Sequence, residues 1–365
     1  MPTFREDIAA LAAYEVGRPI DEVAREHGLD PAAVVKLTAN ESPEGPFPGV
    51  IEAAAAAMAR ANRYPDPNVG DLGHRLAEEL GVDYSNLLFG AGSVALLAEI
   101  ANAVGGPGTS SIYGWPSFVM YRFVSRWAMT RPVAIPLDDG FELDLERIAQ
   151  TVDATTRVVY VCNPNNPTGT IKGAAEMKRF IDDLPDSVLV VVDEAYHHFV
   201  TDDRYSTAIP LALERPNVVV LRTFSKIYSL AAQRIGYAVG RPETLIEIRK
   251  AQPPLSVNQV AQAAALASLG QPNEVRRRRE ANEAGRRFIE GALSERGLAF
   301  PRSHTNFVYF QMAQPDSRSI ASEIGRRGVI IRPLSSGWMR VTVGSEAENE
   351  RFVEVLDEVL AAVDR

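Results

Sequence analysis

Apolar runs alternate with amphipathic stretches along most of this chain. The three strongest runs cover residues 156–162, 188–192 and 218–221. Each is apolar at nearly every position rather than at every second one, which is typical of strands buried on both faces of a parallel sheet. Helical periodicity predicts helices over residues 21–27, 50–61, 70–80, 94–103 and 174–184. Because strands and helices alternate at this spacing, the pattern predicts a mostly parallel α/β sheet with helices on both faces.

The last third of the chain has a different pattern. One long helical stretch is predicted over residues 256–295, then strands over 307–311 and 339–343, and a closing helix over 346–363. This order predicts a smaller α+β domain. Near the other end, Pro and Gly crowd residues 38–46, which disfavours regular structure there. We therefore predict an N-terminal arm over residues 1–45, a large domain over 46–255 and a smaller domain over 256–365.

Composition and charge narrow the possible partners. A chain of 365 residues is long enough for one large and one smaller domain. Its net charge of −9 argues against nucleic acid, which is bound by clustered Lys and Arg. The single cysteine, Cys162, excludes an internal disulfide and fits a reducing compartment. The first residues lack a signal-peptide core and no run approaches the roughly 20 apolar residues of a membrane span, so we expect a cytoplasmic protein that binds no membrane.

Polar groups follow each of the three apolar runs. Asn166 lies in the loop after the first run, Asp193 and Tyr196 follow the second, and Lys226 and Arg234 follow the third. Ligands of parallel sheets bind at the carboxyl ends of the strands. We therefore expect an amide, a carboxylate and an amine to meet at one edge of the sheet.

Lys226 is the candidate reactive group. A lysine at the end of a buried strand is partly desolvated, which disfavours the ammonium form and lowers its pKa. The neutral amine can form a Schiff base with an aldehyde. A lone Ser-Lys pair more often marks a surface lysine, so the neighbours decide the interpretation. Asp193 can keep a pyridine nitrogen protonated, and Asn166 and Tyr196 can hydrogen-bond a phenolic oxygen on the same ring.

The other candidate binding groups point to phosphate rather than to a metal. Thr223, Ser225 and Arg234 offer hydroxyls and a guanidinium. The turn Gly90-Ala91-Gly92-Ser93 precedes a predicted helix, and glycine-rich turns at helix N-termini present free N–H groups to phosphate. The histidines lack metal-ligand spacing backed by carboxylates, so no metal is expected.

Taken together, these segments resemble the fold-type I aminotransferases. The matching motifs are Asn-Pro-Asn-Asn-Pro-Thr-Gly at residues 163–169, Asp-Glu-Ala-Tyr at 193–196 and Thr-Phe-Ser-Lys at 223–226, with an Arg eight residues later. Segments 35–43, 63–66 and 340–344 match the histidinol-phosphate aminotransferase group in the same order, so the resemblance runs from about Tyr14 to the C-terminus. It implies the aspartate aminotransferase-like fold, pyridoxal 5'-phosphate as cofactor, and a homodimer.

The resemblance assigns roles around the cofactor. Lys226 would form the Schiff base and move the substrate proton, Asp193 would pair with the pyridine nitrogen, and Tyr196 would contact the ring oxygen together with Asn166. Phe118 would stack on the ring. The residues around the phosphate would be Gly92, Ser93, Val94, Thr223, Ser225 and Arg234, joined by Tyr64 of the partner subunit.

The resemblance also implies a substrate site. Arg340 would bind the substrate carboxylate, for which a bidentate guanidinium is suited. Tyr14, Asn40 and Arg332 would lie near the substrate side chain.

Two departures from the group pattern bear on function. Ala232 stands two residues before Arg234, where the group usually has Gly, and its methyl can crowd the cofactor loop. Val94-Ala95 replaces the Asp-Glu pair common in histidinol-phosphate enzymes. Together with Gly-Trp-Pro-Ser-Phe at 114–118, this resembles the actinobacterial aromatic aminotransferases of the same group. We therefore expect amino transfer between an aromatic L-amino acid of the Phe/Tyr class and a 2-oxo acid, with 2-oxoglutarate as the expected acceptor.

Three other functions stay open. The chain can be a histidinol-phosphate aminotransferase of histidine biosynthesis. It can also be a pyridoxal-phosphate decarboxylase of the same fold, as in cobalamin synthesis, or a specialised biosynthetic enzyme that directs the same chemistry elsewhere. A binding or regulatory domain without catalysis is disfavoured, because Lys226, Asp193, Asn166, Tyr196 and Arg234 are all present.

Overall fold

The computed structural model describes residues 2–14, 17–312 and 316–363. The helices are α1 (Glu6–Ala9), α2 (Ile20–His27), α3 (Val50–Met58), α4 (Gly70–Leu80), α5 (Ser93–Val104), α6 (Met120–Trp127), α7 (Leu145–Thr151), α8 (Ala174–Asp183), α9 (Ile209–Glu214), α10 (Pro242–Arg249), α11 (Gln259–Ser268), α12 (Pro272–Glu295), α13 (Ser317–Arg326) and α14 (Glu346–Val363). The strands are β1 (Val35–Leu37), β2 (Leu87–Gly90), β3 (Ser110–Trp115), β4 (Arg131–Pro136), β5 (Thr156–Cys162), β6 (Leu189–Asp193), β7 (Val218–Thr223), β8 (Gly236–Val239), β9 (Phe307–Gln311), β10 (Val329–Pro333) and β11 (Trp338–Thr342).

The larger sheet has seven strands in the order β2-β8-β7-β6-β5-β3-β4. All neighbours are parallel except β8, which runs antiparallel to β2 and β7. The mostly parallel sheet predicted from the apolar runs is therefore confirmed. β5, β6 and β7 are its three central strands, and β6 and β7 are buried at every position.

Successive residues of these central strands enter two different cores. Val190 and Val192 pack into the core on one face of the sheet, whereas Leu189 and Val191 pack into the core on the other. Each buried valine contributes about 1.5–3 kcal/mol of hydrophobic stabilisation. Because both faces need apolar side chains, the strand cannot show the alternation of a half-exposed strand, which explains its continuous apolar sequence.

The smaller sheet has four strands in the order β1-β10-β11-β9. Its core includes residues of β9, β10 and β11 together with α12, α13 and α14. β1 pairs in parallel with β10, with Val35 opposite Val329, so part of the predicted arm lies in this sheet. The sequence pattern predicted neither β1 nor β10. The domain boundaries at residues 45 and 255 remain a prediction.

The single helix predicted over residues 256–295 is wrong. α11 ends at Ser268 and α12 begins at Pro272. Between them Gly270 has a φ of +73°, a conformation that glycine adopts without strain and that ends helices. Pro272 then occupies the first turn of α12, where its missing N–H costs nothing.

The described part of the chain contains neither a membrane-spanning helix nor a metal-binding cluster. None of its helices is both long and apolar enough to cross a membrane. No group of three or more His, Cys, Asp or Glu side chains within the described ranges has the arrangement to hold a metal ion.

Candidate active site

The carboxyl ends of the central strands bring the predicted residues together. Cys162 at the end of β5 lies opposite Asp193 at the end of β6, which lies opposite Leu221 in β7. The loops that follow these strands carry Asn166 and Lys226. Their side chains, and that of Tyr196, are linked through hydrogen bonds to the segment that follows β1.

Lys226 points at the backbone of that segment. Its Nζ donates hydrogen bonds to the carbonyl oxygens of Asn40 at 3.1 Å and Ala39 at 3.4 Å. The same Nζ lies 5.7 Å from the ring centre of Tyr196. The half-buried amine thus has neutral acceptors as its hydrogen-bond partners.

Its surroundings make this amine easy to deprotonate. Burial lowers the pKa of Lys226 to about 8, helped by the positive charges of Arg340 and Arg234 and opposed by Glu41 and Asp193. At neutral pH a fraction of the side chain is therefore the neutral, nucleophilic amine.

Asp193 is held by a residue that the sequence did not reveal. The hydroxyl of Tyr121 donates to Asp193 Oδ2 at 3.0 Å, and the backbone N–H of Ala195 donates to Oδ1 at 3.2 Å. Tyr121 is itself stacked on Tyr160, with ring centres 4.9 Å apart and planes 4° from parallel. Burial raises the pKa of Asp193 to about 6, although both hydrogen bonds oppose the rise. A buried carboxylate whose hydrogen-bond partners are all neutral would be stabilised in its charged form by a cationic ligand.

Tyr196 is the hydrogen-bond centre of the site. Its hydroxyl oxygen accepts from Asn40 Nδ2 at 2.9 Å and from Asn166 Nδ2 at 3.4 Å. Burial raises the pKa of Tyr196, so it remains a neutral phenol at physiological pH. Since its oxygen is used as an acceptor, its own O–H can donate to a bound ligand.

Arg340 has the properties of an anion receptor. Its Nη1 donates to Asn166 Oδ1 at 2.6 Å and its Nη2 donates to the carbonyl oxygen of Thr38 at 2.7 Å. Its buried Nε has no hydrogen-bond partner. Arg340 forms no ion pair with a carboxylate of the described residues. A substrate carboxylate would supply the missing negative charge.

A second arginine and an aromatic group lie beside Arg340. Arg332 is the cross-strand neighbour of Arg340, and its guanidinium lies 5.9 Å from the ring centre of Tyr14. Tyr14 makes an edge-to-face contact with Phe123, whose ring also meets Trp127 edge-on, each pair at 6.3 Å. Phe123 and Trp127 were not among the residues predicted from the sequence, although their spacing on α6 places them on one helix face.

The predicted phosphate residues form a cradle between α5 and β7. The hydroxyl of Thr223 donates to Ser225 Oγ at 2.9 Å and accepts from the Ser225 N–H at 3.0 Å. Across from them, a Cβ at Gly92 would collide with Nη2 of Arg234, so glycine is what allows the arginine this close. In the first turn of α5, the backbone N–H groups of Ser93 and half-buried Val94 have no intrahelical acceptor.

Ala232, which departs from the group pattern, lies two residues before Arg234 of this cradle. Ala232 is exposed in a short 3₁₀ turn, Ala231–Gln233. Arg234 follows in the left-handed conformation, with a φ of +56°, and its Nη1 donates to the carbonyl oxygen of Ala231 at 2.9 Å. The turn thus aims the guanidinium at Gly92 with an alanine in its middle.

Phe118 and Tyr64 are placed very differently. Phe118 contacts Tyr121 edge-on at 5.7 Å, beside the Asp193 hydrogen bond. The neighbouring Ser117 donates to Asn165 Oδ1 at 2.7 Å. This hydrogen bond connects the segment of Phe118 to the loop that carries Asn166. Tyr64 is 85% exposed and is not joined to the other site residues by a hydrogen bond within the described chain.

Known proteins resemble this chain over almost its whole length. It matches the family described as aminotransferase class I and II over residues 32–356. It is 38% identical over 357 residues to an aromatic amino acid aminotransferase of Streptomyces coelicolor, covering 98% of this chain and 97% of that protein. It is 40% identical over 359 residues to histidinol-phosphate aminotransferase 1 of Cupriavidus pinatubonensis, covering 97% and 95%.

A solved structure matches the fold equally fully. It is the crystal structure of histidinol-phosphate aminotransferase from Sinorhizobium meliloti in complex with pyridoxal-5'-phosphate. The TM-score is 0.90 at 28% sequence identity, and the match covers 100% of this chain and 99% of that one.

Proposed function

Since the chain belongs to the family of class I and II aminotransferases, we propose that it moves the amino group of an aromatic L-amino acid of the phenylalanine and tyrosine class to a 2-oxo acid, with pyridoxal 5'-phosphate as cofactor. The observation that carries the proposal is the meeting of three groups where the carboxyl edge of the larger sheet faces β11 of the smaller sheet. They are the Lys226 amine of lowered pKa, the buried Asp193 carboxylate and the Arg340 guanidinium. The resemblance to the aromatic amino acid aminotransferase of Streptomyces coelicolor supports the substrate class.

The residues of the site fit this cofactor. Asp193 offers a buried carboxylate to a pyridinium nitrogen, and Tyr196 offers a hydroxyl to a ring oxygen. Arg234 pairs with no carboxylate of the described residues and faces the glycine turn, as a phosphate ligand requires. When bound, pyridoxal phosphate supplies an aldehyde that bonds to an amine and a ring that delocalises the electron pair left at the substrate α-carbon.

Each side chain then has a defined task. The neutral amine of Lys226 would hold the cofactor through its aldehyde, and Nζ would carry a proton to and from the substrate α-carbon. Asp193, fixed by Tyr121, balances the positive charge of the ring nitrogen. Asn166 and Tyr196 orient the ring oxygen. Arg340 holds the carboxylate of the amino donor and then of the acceptor, for which we expect 2-oxoglutarate.

The aromatic group beside the arginines supports the amino donor that we propose. Tyr14, whose ring centre lies 5.9 Å from the Arg332 guanidinium, meets Phe123 edge-on, and Phe123 meets Trp127 in the same way. An aromatic pair of this kind contributes about 0.5–1.5 kcal/mol beyond area burial. An aromatic side chain of the substrate could add a further ring to this group.

The same proposal includes a homodimer and a cytoplasmic location. Tyr64 of each subunit would contact the phosphate bound by its partner, and its 85% exposure leaves it free to do so. The lone buried cysteine is consistent with a reducing compartment.

One observation favours a second candidate, histidinol phosphate. Arg332 makes no ion pair with a carboxylate of the described residues and lies directly across the strand pair from Arg340. Two adjacent guanidinium groups can bind a phosphate monoester as well as a dicarboxylate. The aminotransferase of Cupriavidus pinatubonensis carries the name of that activity.

A single-turnover panel separates the candidates. With the cofactor-loaded protein and excess donor, we expect phenylalanine and tyrosine to convert the cofactor to its amine form at least about tenfold faster than histidinol phosphate. The loss of the visible absorption band measures this conversion. Faster conversion by histidinol phosphate would replace the first proposal by the second, and release of carbon dioxide from the donor would identify a decarboxylase.

Replacing Arg340 by lysine should weaken substrate binding strongly. We expect kcat/KM for phenylalanine to fall about 10²-fold or more, because an ammonium cannot make two parallel hydrogen bonds to a carboxylate. The matched control is Arg332→Lys on the facing strand, for which a loss below about tenfold is expected with phenylalanine. Steady-state kinetics of both variants measure this, and equal losses would contradict the assignment of the carboxylate to Arg340.

A further inference from the structure

A buried acid lies in the helix that begins at the phosphate cradle. Glu99 of α5 is only 4% exposed, although it follows Leu96, Leu97 and Ala98 and precedes Ile100. A carboxyl group at such a position costs free energy unless it has a partner. The catalytic tasks assigned above do not use it.

Its partner is Gln252, which also holds the strand before the glycine turn. Gln252 Nε2 donates to Glu99 Oε2 at 2.9 Å and to the carbonyl oxygen of Phe89 at 2.7 Å. Phe89 lies in β2 immediately before Gly90, where the turn to Ser93 begins. One amide nitrogen therefore joins the strand that enters the turn to the helix that leaves it.

The loop of Gln252 also reaches the other side of the cradle. Asn258, which caps α11, donates from Nδ2 to the carbonyl oxygen of Gln233 at 3.3 Å, next to Arg234. Both walls of the cradle are thus hydrogen-bonded to residues 252–258. Loss of the Gln252 contacts would free the turn on one side only.

The ionisation of Glu99 is set by its burial. Desolvation raises the pKa of Glu99 to about 7, and the Gln252 amide opposes the rise. The elements packed on α5 are α6, α10, β2, β5, β7 and β8. Their charged side chains are Arg122, Arg126, Arg157, Arg222, Glu243, Glu247 and Arg249, and their tyrosines and Cys162 have raised pKa values. Burial and Gln252 are the two causes acting on Glu99.

We propose that Glu99 and Gln252 are positioning residues for the phosphate of the cofactor, because their hydrogen bonds join the strand before the glycine turn to the helix after it. The inference rests on the proposed function. Glu99 follows Ser93 by six residues, about 9 Å along the helix axis. Like charges separated on this length scale repel inside a protein, so an ionised Glu99 would oppose a phosphate held at the turn. A neutral carboxyl group would keep the hydrogen bond from Gln252 without that repulsion.

Glu99→Gln is the sharpest test, because it keeps the shape and the acceptor while removing the charge. The dissociation constant of pyridoxal phosphate is measured by equilibrium dialysis at pH 6 and pH 8. We expect the variant to equal the wild type at pH 6 and to bind about tenfold more tightly at pH 8, where wild-type Glu99 is ionised. Unphosphorylated pyridoxal should show no such difference, because it lacks the group that is repelled.

Two further variants separate positioning from general effects. Glu247→Gln removes the same charge from an exposed site on α10 and should leave both constants unchanged. Gln252→Leu should weaken pyridoxal phosphate binding about fivefold or more through loss of two hydrogen bonds, with little effect on pyridoxal.

The failures are distinguishable. In one outcome, the wild type shows the visible band of covalently held cofactor while Glu99→Gln has the same dissociation constant for pyridoxal phosphate as the wild type at both pH values. In that case the inference is wrong and the proposed function stands. If Glu99→Gln alters pyridoxal and pyridoxal phosphate binding equally, Glu99 has only a structural role. If the wild type binds neither compound, the proposed function fails and this inference with it.

Discussion

Replacing Lys226 by alanine should abolish covalent attachment of pyridoxal phosphate and lower the rate of amino transfer by at least about 10³-fold. In the proposed function the side chain has two tasks that alanine cannot perform, namely bonding to the cofactor aldehyde and moving the proton at the α-carbon. Borohydride treatment followed by mass spectrometry should detect cofactor mass on the wild type and none on the variant. Stopped-flow loss of the visible band measures the rate.

The pH dependence of attachment follows from the position of the lysine. Because the pKa of Lys226 is lowered to about 8, the neutral amine predominates above that pH. The rate at which the cofactor-free protein captures pyridoxal phosphate should therefore rise through pH 8 and level off above it. The matched control is Lys178→Ala, which removes an exposed lysine paired with Asp182 and should change neither attachment nor rate. An unchanged visible band in Lys226→Ala would refute the assignment.

Replacing Asp193 by asparagine should separate activity from stability. Without the carboxylate the ring nitrogen loses its charged partner, and we expect amino transfer to slow by about 10²–10³-fold, the effect of breaking a buried ion pair. Tyr121→Phe leaves the carboxylate but removes its hydrogen bond, so a loss nearer tenfold is expected. Single-turnover kinetics with phenylalanine measure both. Equal losses in the two variants would contradict a charged role for Asp193.

The same substitution should increase the stability of the cofactor-free protein, although it slows amino transfer in the loaded enzyme. The folded-state pKa of Asp193 is raised to about 6, above that of an unfolded chain. Its contribution to stability is thus fully present below the unfolded pKa and is lost as the pH rises through 6. The asparagine of Asp193→Asn has no charge to bury, so urea unfolding at pH 7.5 should show the cofactor-free variant more stable by about 1–3 kcal/mol. If the variant were less stable than the wild type at that pH, the free-energy cost of burying the Asp193 charge would be offset by its partners, and this prediction would be wrong.

The central part of the site was predictable because it obeys a general rule of topology. Asn166, Asp193 and Lys226 each come after an apolar run in a central strand, and parallel strands end at one edge. Spacing along the chain was therefore enough to bring them together, and the α/β fold expected from the motifs is confirmed. The assigned roles of the individual side chains remain predictions.

What the sequence did not reveal depends on contacts between distant elements. Tyr121 is one of several aromatic residues around α6, and only its packing on Tyr160 turns its hydroxyl towards Asp193. Whether Arg332 and Arg340 face each other depends on the register of two antiparallel strands, one of which the pattern did not predict. Both facts belong to tertiary structure, on which local spacing carries no information.

Two misses had local signals that were available. Gly270 and Pro272 are the residue types that end one helix and begin another. Glu99 is a single acid within an apolar helical run, a position at which a carboxyl group requires a buried partner. Neither signal requires knowledge of the fold.

The pairing of β1 with β10 has a consequence for the order in which this protein matures. The segment after β1 supplies Asn40, whose backbone N–H bonds to Thr342 across 302 positions of the chain, and whose carbonyl oxygen accepts from Lys226. During synthesis the ribosome must release almost the entire chain before β1 can find its neighbour, and contacts so distant in sequence form late. The central sheet can assemble earlier, but the wall of the site that faces its lysine is absent until that segment docks. Stable capture of the cofactor by nascent or refolding chains would thus report the last step of maturation rather than the collapse of the core.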